Sequence, residues 1–314
     1  MDTGYPKHMD YLNSDCSPDL MRLIKSKLNG KKNKCYYNFL KKIGEETLPI
    51  FTDEQVAFLE SFEELLPIVR VDEYLIVNEL LSNHLDINKL IGFNSKVNGN
   101  TLSNALSLLK KDELVTDDNR LNISKLSSEF EEYLADIINY GLTRYDIDFG
   151  EYEGLFKLYG NYYKEQIMRV LCQDALMFMK GTKFDDSGVT YIFVGLKKDK
   201  SKQERTNYKD KFLSSKIFQW ESENNTTWDN PIGIKLKNTK VIHLFVRKMD
   251  EEDGITLPFT YFGTGSFTNP RESFVKALNK DGTVSSVPTL LFDIVLDKEV
   301  SREYFFDFEI PEGE

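Results

Sequence analysis

A chain of 314 residues with 40% hydrophobic and 13% aromatic content is long enough for two or more cores, and no low-complexity tract points to extended disorder. Its 40 basic and 51 acidic residues give a net charge of −11, which argues at first sight against nucleic acid; yet Lys197 to Met249 holds 13 basic and 6 acidic residues. No apolar run approaches the ~20 residues of a bilayer span, "MDTGYPKHMD" is not a signal peptide, and Cys16, Cys35 and Cys172 are scattered, so a cytoplasmic, reduced protein is expected.

Residues 1–69 read as a helical segment: "SPDLMRLIKSKL", "KKNKCYYNFLKKIG" and "TDEQVAFLESFEELLP". Ser17 and Pro18 are a helix start, Leu20, Leu23, Ile24 and Leu28 form an apolar stripe, and Thr52 with Gln55 has capping-box spacing. Residues 70–149 form a second unit. Helices are predicted in "VDEYLIVNELLSN", "DINKLIGF" and, opening at Asn100, "NTLSNALSLLKKDEL", followed by a hairpin around "TDDNR". That order is winged-helix-like. The third helix would offer a DNA groove Asn100, Ser103, Asn104, Ser107, Lys110 and Lys111; the same pattern also suits a packing or spacer module. "SSEFEEYLADIINYGLTRYDIDFG" reads as one more, connecting helix.

From residue 150 the texture changes. "VTYIFVGLKK", "GIKLKN", "VIHLFVRKMD", "LPFTYFGTGSF", "VPTLLFDIVLD" and "EYFFDFEI" are short, β-branched and aromatic, and are predicted as strands. "YGNYYKEQIMRVLCQDALM" keeps helical spacing at Ile167, Val170, Leu171 and Leu176. The fold class is therefore α+β: a helical N-terminal half with a winged-helix-like module, then an antiparallel β-barrel-like domain over 150–314 with one or two helices.

Catalytic apparatus is not visible. There is no P-loop and no nucleophile elbow; His8, His84 and His243 and the three cysteines lack metal-ligand spacing, and His243 alternates within a strand. Asp185, Asp186 and Glu204 make no specific cluster, so neither an enzyme, a metal nor a cofactor is expected in this chain.

The stretch "KIFQWESENNTTWDNPIG" holds both tryptophans. Trp220 ends an apolar strand and Trp228 lies in a turn, which suits either hydrophobic plugging or an aromatic platform for a flat ligand.

Several of these residues carry a resemblance. "YGNYYKEQI", "TNYKDKFLSSKIFQWESEN", "LFVRK" and "PFTYFGTGSF", with "GYPKHMDYLNSD" and "YYNFLKKIGE" in the first half, resemble the C-terminal part of SauUSI-type, ATP-dependent type IV restriction enzymes. In that family such a domain, long catalogued as of unknown function, follows a phospholipase-D-like nuclease and a DEAD/DEAH helicase core. The resemblance implies a DNA-recognition part that binds duplex DNA containing 5-methylcytosine or 5-hydroxymethylcytosine in phage defence. ATP and divalent metal would belong to the nuclease and helicase domains of the same polypeptide, which are also the implied partners. An extruded base would stack on Tyr208, Phe218, Trp220 or Trp228, give its amine to Asp210 or Glu221, and meet Ser222, Asn224 and Thr226. Lys197, Lys198, Lys209, Lys211 and Lys216 would hold phosphates. Phe218 and Trp220, two apart on one strand face, equally suit a core plug. The alternative function is a protein-interaction or autoinhibitory module whose acidic half docks on helicase lobes; a cryptic nuclease is a third.

Overall fold

The computed structural model describes residues 4–12, 35–82, 84–172, 181–197, 208–252, 255–278 and 283–308. The predicted helix at Ser17–Leu28, Lys198, Leu176 and Cys16 lie outside them. The described residues fall into two compact units. One comprises those of Met1–Glu153 and Glu165–Gln173, the other those of Gly154–Lys164 and Asp174–Glu314.

The first unit is helical. After a 3-10 turn at His8–Tyr11 come α1 (Tyr36–Lys42), α2 (Asp53–Glu63), α3 (Asp72–Leu81), α4 (Ile87–Leu90), α5 (Gly99–Lys111), α6 (Ser128–Asp148) and α7 (Lys164–Val170). The predicted capping box holds: Thr52 Oγ1 accepts the Gln55 N–H at 3.2 Å and Gln55 Oε1 accepts the Thr52 N–H at 2.9 Å. Asn98 caps α5 by accepting the N–H groups of Asn100 and Thr101, so α5 opens one residue earlier than the sequence suggests. The hairpin after it reduces to a single bridge, Val115 to Leu121. Aromatic side chains dominate this core; the Phe62 and Tyr74 rings stack at 4.5 Å. Gly141 is required because a Cβ there would lie 2.4 Å from the Tyr74 ring. Glu73 of α3 binds Arg70 at 2.6 Å and Arg169 of α7 at 3.2 Å, while Arg169 also reaches Asp112 at 2.6 Å.

His8 is buried, with Nδ1 3.1 Å from Asp136 Oδ2 and Nε2 3.5 Å from Glu63 Oε1. Its backbone N–H also donates to Asp136 at 2.7 Å. Burial pushes the imidazole pKa down, but the bonds to Asp136 and Glu63 and their charges outweigh it and raise it to about 9.

The second unit is built on one sheet. Its strands are β1 (Asn161–Tyr162), β2 (Thr182–Phe184), β3 (Val189–Lys197), β4 (Lys211–Ser214), β5 (Ile217–Glu221), β6 (Val241–Met249), β9 (Phe259–Leu278) and β10 (Val284–Leu296); β7 (Glu251–Glu252) and β8 (Ile255–Thr256) form a separate small hairpin. The order is β2-β3-β6-β9-β10-β5-β4, with β1 added on β9. The predicted antiparallel β-barrel-like domain is thereby corrected to a mixed, mostly antiparallel sheet. The sheet is open, its edges are the short β2 and β4, and β3 pairs with β6 in parallel. A parallel pair needs a crossover, and the chain between β3 and β6 supplies it through β4, β5 and a helix.

That helix is α8 (Pro231–Lys237), where a strand was expected in "GIKLKN". Asn230 accepts the Gly233 N–H at 2.8 Å and Pro231 sits in the first turn, so a helix start overrides the alternation of Ile232, Ile234 and Leu236. "EYFFDFEI" is likewise helical over its described part, as α9 (Arg302–Phe308). Phe308 packs on Phe262 at 4.9 Å and Tyr304 stacks on Tyr159 at 4.0 Å, an i, i+4 pair that one helix face can supply.

The sheet is covered on both faces around β3 and β6. Ile192, Val194, Ile242, Leu244, Phe262, Phe292 and Ile294 share one core with Leu236 of α8 and Phe308 of α9. The other face stacks Phe193 on Phe245 at 4.9 Å and places Phe156 at 5.1 Å from Phe245. Two-sided burial is why these strands read as continuous apolar runs. His243 lies here between Tyr191 and Tyr261, its Nδ1 2.7 Å from the Tyr261 hydroxyl. Burial holds its pKa down at about 4, so the ring is neutral.

Candidate nucleic-acid interface

β5 runs antiparallel to β10, with Phe218 opposite Ile294 and Trp220 opposite Phe292. The two-residue period puts Phe218 and Trp220 on the core face. Phe218 is fully buried and meets Phe212 edge-on at 4.8 Å; no flat ligand reaches it. Trp220 is 4% exposed and packs against a pair of rings, Phe267 at 5.5 Å and Phe292 at 5.8 Å, which are themselves 4.3 Å apart. Trp228 is half-buried and touches the edge of Phe292. Both tryptophans therefore belong to one aromatic cluster centred on Phe292.

The polar residues around them are tied to backbone. Glu221 is buried, with Oε2 accepting the Lys209 N–H at 3.0 Å and Oε1 accepting the Thr289 hydroxyl at 2.7 Å. Asp210 accepts the Glu221 N–H at 2.8 Å. Ser222 extends the β5–β10 ladder, its N–H donating to the Leu290 carbonyl and its hydroxyl accepting the Leu290 N–H, each at 2.8 Å. Thr226 donates to the Glu223 carbonyl at 2.7 Å. Tyr208 donates to Asn224 Oδ1 at 3.0 Å, and burial pushes its phenol up to about 12, so it remains a hydroxyl at neutral pH.

A cleft of ≈ 210 Å³ opens among Tyr208, Asp210, Trp220, Glu221 and Glu223 on one side and Thr182, Phe193 and Gly195 on the other. Of the nine predicted pocket residues the structure brings four together here, Tyr208, Asp210, Trp220 and Glu221. Phe218, Ser222, Asn224, Thr226 and Trp228 do not line it. Gly195 of β3 and Trp220 of β5 meet at the cleft although β6, β9 and β10 separate them in the sheet, so the sheet curls. Register shifts between Leu291 and Asp293 on β10 and between His243 and Phe245 on β6 accompany that curl. The β2–β3 wall of the cleft was missed from sequence; a glycine inside the run "YIFVGLK" is the one local signal of close approach there.

The predicted phosphate lysines are dispersed. Lys209 Nζ donates to Ser273 Oγ at 3.0 Å, and Lys216 Nζ donates to the Asp297 carbonyl at 2.8 Å. Lys216 precedes the start of β5 and stands five residues from Glu221, roughly 17 Å along an extended strand. Lys211 is exposed on edge strand β4 and Lys197 ends β3. Among the described residues no group of three or more His, Cys, Asp or Glu is placed to hold a metal ion, and no helix is long and apolar enough to cross a membrane.

In the helical unit, Asn100, Ser103, Asn104 and Ser107 are exposed on α5, but the Ser103 and Ser107 hydroxyls donate to the Gly99 and Ser103 carbonyls of their own helix. Lys110 Nζ is drawn to the Asp117 carbonyl at 3.0 Å, and the adjoining turn presents Asp117 and Asp118, the latter paired with Arg120 at 3.1 Å.

Residues 156–308 match the family model "Domain of unknown function (DUF3427)", and residues 5–112 match "Domain of unknown function (DUF8090)". No curated protein matches. Among solved structures, the MspJI restriction endonuclease in complex with a 27-mer oligonucleotide aligns at 12% identity and a TM-score of 0.25, covering 37% of this chain and 31% of that one. The DNA recognition domain of the cytosine modification-dependent restriction endonuclease LpnPI aligns at 15% identity and a TM-score of 0.27, covering 43% of this chain and 69% of that one. The chain thus spans about a third of the MspJI chain.

Proposed function

We propose that the β-rich unit recognises duplex DNA carrying 5-methylcytosine or 5-hydroxymethylcytosine, as the specificity part of a modification-dependent restriction enzyme. The observation that carries this reading is the convergence of Tyr208, Trp220 and the carboxylates Asp210, Glu221 and Glu223 on one cleft of ≈ 210 Å³. That is below the ~300–1,000 Å³ of a drug-sized site and suits a single flat ring. Extruding a base costs a few kcal/mol, which stacking on an aromatic wall offsets by about 1–3 kcal/mol. Carboxylates accept from the exocyclic amine of cytosine, whereas thymine presents an oxygen there and is repelled. The chain itself performs no cleavage in this account; nuclease and ATPase chemistry, with ATP and divalent metal, comes from other domains of the same polypeptide, in the cytoplasm.

The helical unit takes a second role. Its helix order fits a winged-helix-like module, but the Asp117–Asp118 turn stands where a wing would approach phosphates. That acidity favours docking on a protein surface, the helicase lobes, over DNA contact.

Fluorescence anisotropy with otherwise identical duplexes containing cytosine, 5-methylcytosine or 5-hydroxymethylcytosine tests the reading. A preference on the order of tenfold or more for the modified duplexes is expected. Equal affinity for all three refutes base recognition.

A further inference from the structure

A second cleft of ≈ 190 Å³ adjoins the first, lined by Thr182, Phe184, Glu223, Pro231, Ile232 and Lys235. Thr182 and Glu223 are walls of both, so the two form one groove along the β2 edge. None of the second set was expected from the sequence. Its construction is particular. Phe184 of β2 and Pro231 and Ile232 at the start of α8 make an apolar lining, and Lys235 Nζ stands 5.5 Å from the centre of the Phe184 ring. Glu223 sits at the junction of the two clefts.

We infer that the domain reads two adjacent nucleotides, the second cleft taking the neighbour of the target base; this rests on the DNA-recognition reading above. The two clefts are nearly equal in size, which suits two rings. The neighbour's base stacks on Phe184. Glu223 at the shared wall accepts an amine, and Lys235 on the solvent side meets the phosphate. The groove offers an acceptor at the shared wall, an aromatic face and a cation 5.5 Å from the centre of that ring. A nucleotide presents the matching set of amine, ring and phosphate. Pairing must then open at two consecutive positions, so DNA already unpaired at both binds more tightly than DNA unpaired at one.

The test measures affinity of the full chain for 5-methylcytosine duplexes that are fully paired, mismatched at the modified base alone, or mismatched there and at the 5′ or the 3′ neighbour. The second mismatch, on one side only, is expected to tighten binding on the order of tenfold, the gain of one added base–aromatic stack. Phe184→Ala and Lys235→Ala should each lose most of that extra gain while keeping their preference for methylated over plain duplex. Phe184 packs against the core, so Phe184→Leu, which keeps bulk without an aromatic face, and the exposed Lys235→Ala carry the test if Phe184→Ala does not fold. No gain from a second mismatch on either side, or the full gain retained in the folded variants, overturns the inference. A wild-type chain with no preference for methylated duplex overturns the underlying reading instead, an outcome visible in the fully paired arm alone.

Discussion

Trp220→Ala separates what the side chain does for the fold from what it does for a ligand. The indole is 4% exposed and packs against the Phe267–Phe292 pair, and β5 has the thirteen-residue β10 on one side and only the four-residue β4 on the other. Emptying so large a buried site costs about 3–5 kcal/mol. For a unit of this size each kcal/mol lowers the melting temperature by about 2–4 °C, so a drop of roughly 6–20 °C is expected by circular dichroism or calorimetry. Trp220→Phe, which keeps an aromatic plate against the same two rings, should lose less stability and retain measurable binding of methylated DNA. An alanine variant that melts within about 2 °C of wild type would show that the indole is not part of the core, and the placement of β5 argued above would be wrong.

Two further outcomes follow from the geometry. His8 is raised to about 9 by Asp136 and Glu63, so its contribution to stability is fully present below its unfolded value of about 6.5 and is lost as pH rises through about 9. The shift corresponds to a contribution on the order of 3 kcal/mol; melting of the helical unit should weaken between pH 7 and 10, and His8→Gln should flatten that slope. An unchanged slope in a folded His8→Gln chain would place the titration elsewhere. Replacing Lys209 and Lys211 together with Ala should weaken plain and methylated duplex alike and reduce the salt slope by about 0.9 for each phosphate no longer neutralised. A weakening confined to the methylated duplex would assign these lysines to the base instead.

Much of the helical half was legible because caps are local. Thr52 with Gln55 marks its own helix, and in the structure Ser127 likewise accepts the Phe130 N–H at the start of α6. β3, β6 and β10 were legible because their central runs, YIFV, LFV and LLF, are apolar and buried. The misread segments carried competing signals. Ile232, Ile234 and Leu236 alternate like a strand, yet Ile232 and Leu236 also share one helix face, and Asn230 with Pro231 decides between the two. Closure of the sheet was not legible, because it depends on whether β2 and β4 find each other, and neither strand carries that in its own residues. For the same reason one wall of the cleft, Tyr208 to Glu221, was found in contiguous sequence, without Glu223. The other, Thr182 to Gly195, joins it only when the sheet curls. Phe218 illustrates the remaining limit: aromatic content in a loop-like stretch does not tell a plate from a core residue until the strand register is known.

The central claim is that a modified base enters the cleft against Trp220. Trp228→Phe leaves Trp220 as the single tryptophan, since the chain has 2. Its emission can then be followed while methylated duplex is titrated and binding is monitored independently by anisotropy. Stacking of a base on the indole predicts quenching that saturates with binding, and little quenching at equal occupancy by plain duplex driven on at low salt. Saturable binding of methylated DNA with no change in Trp220 emission would contradict the account.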